Sequence, residues 1–131
     1  MHSNLSENYQ PDRVLCADDG TLVGELLGKL FSVNGYECTR VRDGEAALQC
    51  VSQDVSRYTV MIVEHKMPKL GELALARLAR RAGFYGRIIV HGASMAGEDA
   101  SEYEALGVEL VERGDPDQGL LRVMERFHGE E

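Results

Sequence analysis

Val60-Met61-Ile62-Val63 is an unbroken apolar run, and no other feature of the 131-residue sequence narrows the fold as far. A strand with one face in water alternates apolar and polar residues, whereas a run without alternation has both faces covered. Helices on both sides of a parallel sheet provide that cover. The neighbouring segments read the same way. Arg13–Ala17 reads as a short buried strand, Tyr36–Val41 as a second, Ile88–Val90 as a fourth and Val108–Val111 as a fifth.

Between these runs the apolar period lengthens to that of a helix. Leu22, Val23, Leu26, Leu27, Leu30 and Phe31 fall on two adjacent i, i+4, i+8 tracks, and Asn34-Gly35 supplies a C-terminal stop. Asp43-Gly44-Glu45 opens a second helix that runs to about Gln53. Leu75, Leu78, Ala79 and Ala82 stripe a third that stops at Gly83. Glu98 to Leu106 predicts a fourth helix with a thin apolar face. Asp115-Pro116 places an N-cap before a proline at the first helical position, and Leu120, Val123, Met124 and Phe127 then repeat at helical spacing. The order is strand then helix, five times, which implies a doubly wound α/β sheet with right-handed crossovers.

That alternation fills one domain over residues 13–128, with polar tails at 1–12 and 129–131. A hydrophobic share of 44% suffices for one core. No apolar stretch approaches the ~20 residues of a membrane span, and the polar N-terminus has no apolar core of a signal peptide. The three cysteines, Cys16, Cys38 and Cys50, form no C-x-x-C pair, and Cys16 and Cys38 sit in apolar runs where a reduced thiol behaves as a small hydrophobe. A reducing, cytoplasmic setting is the expectation. The net charge of −8 argues against a general nucleic-acid or anionic-membrane binder.

Sites in open parallel sheets form beyond the carboxyl ends of the strands. Asp18 and Asp19 follow the first strand, Glu64 the third, His91-Gly92 the fourth and Glu112-Arg113 the fifth. Three carboxylates at one rim repel one another, so either a cation binds or some keep their protons. All-oxygen ligation suits Mg²⁺, with Asp18 and Asp19 as the metal candidates; alternatively Asp19 only caps the first helix. A metal-dependent phosphatase would need a nucleophilic aspartate and a general acid two residues on, where Gly20 stands. No G-x-S-x-G, P-loop or H-E-x-x-H is present.

In these residues the chain resembles a receiver domain of the bacterial two-component response regulators, from about Arg13 to Phe127. Arg13-Val14-Leu15-Cys16-Ala17-Asp18-Asp19 is similar to the first strand and acidic pair of that family. Asn34-Gly35-Tyr36, Asp43-Gly44-Glu45-Ala46-Ala47-Leu48, Met67-Pro68, Gly86-Arg87-Ile88-Ile89-Val90 and Ala105-Leu106-Gly107 follow in the family's order. The resemblance implies a flavodoxin-like three-layer sandwich of five parallel strands, order 2-1-3-4-5, and five helices. It also implies a phosphoacceptor aspartate three residues before Met-Pro, and here that position is Glu64. The hydroxyl residue that hydrogen-bonds the phosphoryl group aligns with Gly92, the family lysine aligns best with Arg113, a switch aromatic is replaced by Leu110, and the loop after Met67-Pro68 is one residue short.

These departures bear on chemistry. Phosphoryl transfer rests on in-line positioning and charge stabilisation, and a misplacement of ~1 Å can cost ~100-fold in rate. Glu64 carries one methylene too many, and Gly92 removes a donor to the phosphoryl oxygens. Arg113 keeps the charge but as a planar fork, and could pair with Glu64. The expectation is a pseudo-receiver, not an enzyme, that acts through protein contacts with a histidine kinase, an output domain or another regulator, as a monomer or weak homodimer. The alternatives are a receiver phosphorylated by a histidine kinase and a small Mg²⁺-dependent phosphohydrolase. Tyr103, Leu106, Glu109 and Leu110 lie on the side where family members meet partners, with Tyr103 either exposed or half-buried. His91 could hydrogen-bond Glu64 or a backbone carbonyl, and His65 and Lys66 read as solvated loop residues.

Overall fold

The computed structural model describes residues 13–20, 22–64, 67, 69–92 and 97–111. Five strands form one sheet: β1 (Arg13–Ala17), β2 (Glu37–Val41), β3 (Val60–Glu64), β4 (Arg87–His91) and β5 (Val108–Val111). All pairings are parallel, and the order is β2-β1-β3-β4-β5. The helices are α1 (Leu22–Val33), α2 (Gly44–Gln53), α3 (Glu72–Ala82) and α4 (Ala100–Ala105). The fifth helix expected after Asp115-Pro116 lies outside the described residues, as do both tails, His65, Lys66, Pro68, Glu112 and Arg113. Among the described residues no helix is long and apolar enough to cross a membrane.

Successive side chains of a strand point to opposite faces, so a two-sided sheet writes two interleaved cores into each apolar run. Leu15, Ala17, Met61, Val63, Ile88 and Val90 pack on one face with Ala47 and Val51 of α2 and Leu75, Ala76 and Ala79 of α3. Val14, Cys16, Val60, Ile62 and Ile89 pack on the other with Leu27 and Phe31 of α1. β3 is buried at every residue except Glu64, its last. The edge strand β2 has no fully buried residue, because among the described residues β1 is its one strand neighbour.

Local signals set the helix ends. The Asp43 side chain accepts from the Ala46 backbone N–H at 2.8 Å, capping α2. At the end of α1 the Tyr36 N–H donates to the Phe31 carbonyl at 3.0 Å and the Gly35 N–H to that of Ser32 at 3.1 Å. This is the paired closure of a Schellman turn, and the rings of Phe31 and Tyr36 meet edge-on across it at 6.0 Å. α4 is shorter than the predicted Glu98–Leu106 span: its thin apolar face anchors little more than Tyr103, and residues 97–99 form turns instead. The short loop before α3 holds Lys69 at φ 71, a left-handed conformation, with its ammonium 3.6 Å from Asp43.

Candidate functional site

β1 and β3 are adjacent, so the topology sets Asp18, just past β1, beside the end of β3 where Glu64 stands. Each carboxylate is nevertheless taken by a different partner. Asp18 is buried, and Arg40 of β2 grips it with both arms of its guanidinium: Nε to Oδ2 at 3.1 Å and Nη2 to Oδ1 at 2.8 Å. The Gly20 backbone N–H donates to Oδ1 at 2.8 Å. This bidentate pairing, together with the general field of Asp18 and Glu25, raises the Arg40 pKa above its ordinary value. Asp18 lies tightly over α1: a Cβ on Gly24 would stand 2.4 Å from its Cγ, so only glycine lets the helix pass beneath the carboxylate.

Glu64 pairs with the residue opposite it in the β3–β4 register. The Oε1 atom lies 3.1 Å from Nδ1 of His91, whose ring is buried. The other ring nitrogen, Nε2, is also buried and has no hydrogen-bond partner among the described residues. Gly92 follows at φ 100, in the left-handed region, and its N–H donates to the Val111 carbonyl at 2.7 Å. A β-branched hydroxyl residue fits that backbone poorly. The glycine at this position is therefore tied to the path of the chain as well as to the missing hydroxyl.

Two of the three rim carboxylates thus have partners other than a metal ion. Asp18 is neutralised by Arg40, Glu64 is tied to His91, and Asp19 is exposed. No group of three or more His, Cys, Asp and Glu side chains is placed to hold a metal ion among the described residues. Mg²⁺ requires oxygen donors with free lone pairs in near-octahedral array, and an Asp18 carboxylate engaged on both oxygens by N–H donors does not fit it. Arg40 is the residue that sequence reasoning missed. Its only signal is a basic residue near the end of the strand that borders the acidic one. The glutamate–histidine contact is among those that the sequence left open for His91.

The face assigned to partners is more deeply built in than its sequence suggests. Tyr103 is 5% exposed and belongs to the core, which settles its reading against the exposed alternative. Burial, helped by the carboxylates of Glu72 and Asp99, pushes its phenol up to about 12. Leu106 and Leu110 are half-buried against the same core, and Glu109 accepts from Arg87 Nε at 2.8 Å. Arg80 of α3 donates to the carbonyls of Leu106 at 2.9 Å, Phe84 at 2.9 Å and Gly86 at 2.7 Å, stitching three segments together. Arg77 and Glu102 form an ion pair between α3 and α4. Among the described residues the exposed aromatic is Tyr85, at the opposite end of the sheet from the strand-end carboxylates.

No protein-family model matches the chain, and no curated protein matches it in sequence. Solved structures do match its fold. The receiver domain of the Francisella response regulator 1452 superposes with a TM-score of 0.76 at 23% identity, covering 92% of this chain and 99% of that domain. The chemotaxis protein CheY4 of Vibrio cholerae gives 0.77 at 21% identity over 89% of this chain and 98% of its own. The signal receiver domain of the putative response regulator NarL from Mycobacterium tuberculosis gives 0.75 at 18%, over 91% and 97%. With its parallel order β2-β1-β3-β4-β5 and superposition on these domains over 89–92% of its length, the chain has the flavodoxin-like fold of response-regulator receiver domains.

Proposed function

We propose that this chain is a receiver-fold signalling module of the bacterial two-component type that works through protein contacts, is not phosphorylated at Glu64 and is not an enzyme. The observation that carries this reading is the grip of Arg40 on Asp18. Phosphoryl transfer to a carboxylate needs a divalent cation to gather the charge of the transferring group. Here a guanidinium already neutralises the buried carboxylate of the acidic pair. Glu64, one methylene longer than an aspartate, is turned to His91, and Gly92 offers no hydroxyl.

A fixed surface is favoured over a switch for a separate reason. The hydrogen bonds of Arg80, the Arg77–Glu102 pair and the Arg87–Glu109 pair tie α3, α4, β4 and β5 into one block. A two-state response needs an element with two arrangements of similar free energy, and each of these ties penalises the second arrangement. The partner is a signalling protein, a histidine kinase, output domain or other regulator, that reads the α4–β5 side as it stands.

Intact mass measured after incubation with acetyl phosphate and Mg²⁺ tests the proposal. The expected spectrum shows no phosphoryl adduct. An adduct mapped to Glu64 would overturn the reading in favour of a phosphorylated receiver, and turnover of a generic phosphate ester would replace it with a hydrolase.

A further inference from the structure

Away from the strand-end carboxylates, the β1–β2 border brings two thiols together. Cys16 of β1 and Cys38 of β2 sit diagonally in the register, where Val14 faces Cys38 and Cys16 faces Arg40, and their sulfurs are 3.3 Å apart. The two differ in access. Cys16 is buried, whereas Cys38 is half-buried and lines an open groove of about 500 Å³ between α1 and β2, with Glu25, Gly28, Lys29 and Arg40. We propose that Cys16 and Cys38 form a dithiol oxidised by hydroperoxides, in which Cys38 meets the oxidant and Cys16 resolves it to an intramolecular disulfide.

The geometry divides the roles. A hydroperoxide can reach Cys38 from the groove, where the Arg40 guanidinium favours an anion at the sulfur and the Asp18 carboxylate opposes it. The hydrogen bond with Cys16 lowers the Cys38 pKa, and Arg40 lowers it further against the opposing effects of burial and Asp18. The same hydrogen bond, followed by burial, raises the Cys16 pKa, and Cys16 is closed off from the groove, so Cys38 is the first of the two to meet the oxidant. In the first step the Cys38 thiolate attacks the O–O bond. An S–O bond forms, the O–O bond breaks, and the departing oxygen leaves as water or an alcohol after taking up a proton. Cys38 is oxidised by two electrons to a sulfenic acid and the peroxide is reduced.

That step turns Cys38 into an electrophilic sulfur beside the Cys16 thiol, 3.3 Å away in the reduced protein. The Cys16 sulfur then attacks Cys38, an S–S bond forms, the S–OH bond breaks, and water departs with the Cys16 proton. Closing the sulfurs to a bond of ~2.05 Å requires one strand to shift. β2 is the edge strand, bordered among the described residues by β1 alone, so a shift there disturbs no second strand pairing. Cys50, on α2 and packed against the other core face, has no thiol within hydrogen-bonding reach among the described residues and serves as an internal control.

The test treats the reduced full chain with equimolar hydrogen peroxide, alkylates remaining thiols and maps the peptides. The expected product has lost two hydrogens, carries a Cys16–Cys38 cross-link, regains both thiols with dithiothreitol and leaves Cys50 alkylated. Cys38 is expected to react at least ~10-fold faster than Cys50. In Cys16→Ala, which keeps a small apolar side chain in the core, a dimedone-reactive sulfenic acid accumulates on Cys38. Equal oxidation of Cys38 and Cys50, a disulfide between two chains, or no sulfenic acid in Cys16→Ala would each overturn the proposal. The wild-type map decides the matter even if the variant fails to fold.

Discussion

The Glu64 carboxylate at the end of β3 lies 3.1 Å from Nδ1 of His91, the residue opposite it on β4. The histidine ring is buried, and its Nε2 has no partner among the described residues, so this one contact carries the ring's described polar satisfaction. Glu64→Ala strips it and leaves both ring nitrogens buried. The expected cost is about 1–3 kcal/mol, the desolvation penalty of an unsatisfied polar group. A lowered urea midpoint at unchanged slope checks this, and an unchanged midpoint would contradict the pairing.

Arg40→Ala frees the Asp18 carboxylate. The buried charge then keeps the Gly20 N–H as its described hydrogen-bond donor. Because the Arg40 side chain is 34% exposed and water can replace part of it, the loss is expected at about 1–3 kcal/mol, below that of a fully buried pair. The same variant is expected to gain stabilisation from millimolar Mg²⁺ that the wild type lacks. Thermal melts with and without the cation distinguish the two proteins, and an equal response in both would remove Arg40 as the reason for a poor cation site.

Gly24→Ala tests the close approach of α1 to Asp18. Alanine improves helix propensity by up to about 1 kcal/mol, yet its Cβ would stand 2.4 Å from the Asp18 Cγ. Overpacking of this kind typically costs about 1–3 kcal/mol, so net destabilisation is expected. In an Asp18→Ala background the obstruction is gone and the sign should reverse. Additive effects in the double-mutant cycle would show that the two residues do not compete for space.

Gly92→Thr is the substitution that would restore the hydroxyl expected from the family resemblance. At φ 100 a β-branched residue is strained by about 1–3 kcal/mol. The variant is expected to melt lower and to remain without a phosphoryl adduct after treatment with acetyl phosphate. An adduct would mean that the missing hydroxyl, not Glu64 and Arg40, is the obstacle.

Tyr103 gives the alkaline limb of the stability profile. Its phenol is raised to about 12 by burial and the nearby Glu72 and Asp99 carboxylates, against ~10 in an unfolded chain. The folded state therefore holds a proton that the unfolded state has lost. The contribution is complete below ~10 and disappears as pH rises through about 12. Phenolate absorbance of the wild type against Tyr103→Phe should differ only in that upper window, and a difference centred near ~10 would contradict the burial.

The alternation of strands and helices, the boundaries of β1, α2 and β5, and the stops at Asn34-Gly35 and Gly83 were legible in the residues. They depend on periodicity and on contacts within one turn of chain, which a sequence writes directly. Placement of Asp18, Glu64 and Gly92 at the strand ends followed from that alternation. The thin apolar stripe of α4 was legible too, but not the burial of Tyr103, since one aromatic can anchor a six-residue helix without any periodic signal.

What each carboxylate touches was decided by tertiary structure. Arg40 and Asp18 are 22 residues apart, as are Cys16 and Cys38, and Glu64 and His91 are 27 apart. Each pair meets because the order β2-β1-β3-β4 makes neighbours of strands in one register, and because side-chain reach then selects a partner within an ångström or so. Residue types fix which charges and thiols are present. Distances of about 3 Å, which decide whether a carboxylate faces a cation, a guanidinium or an imidazole, exist only once the strands are side by side.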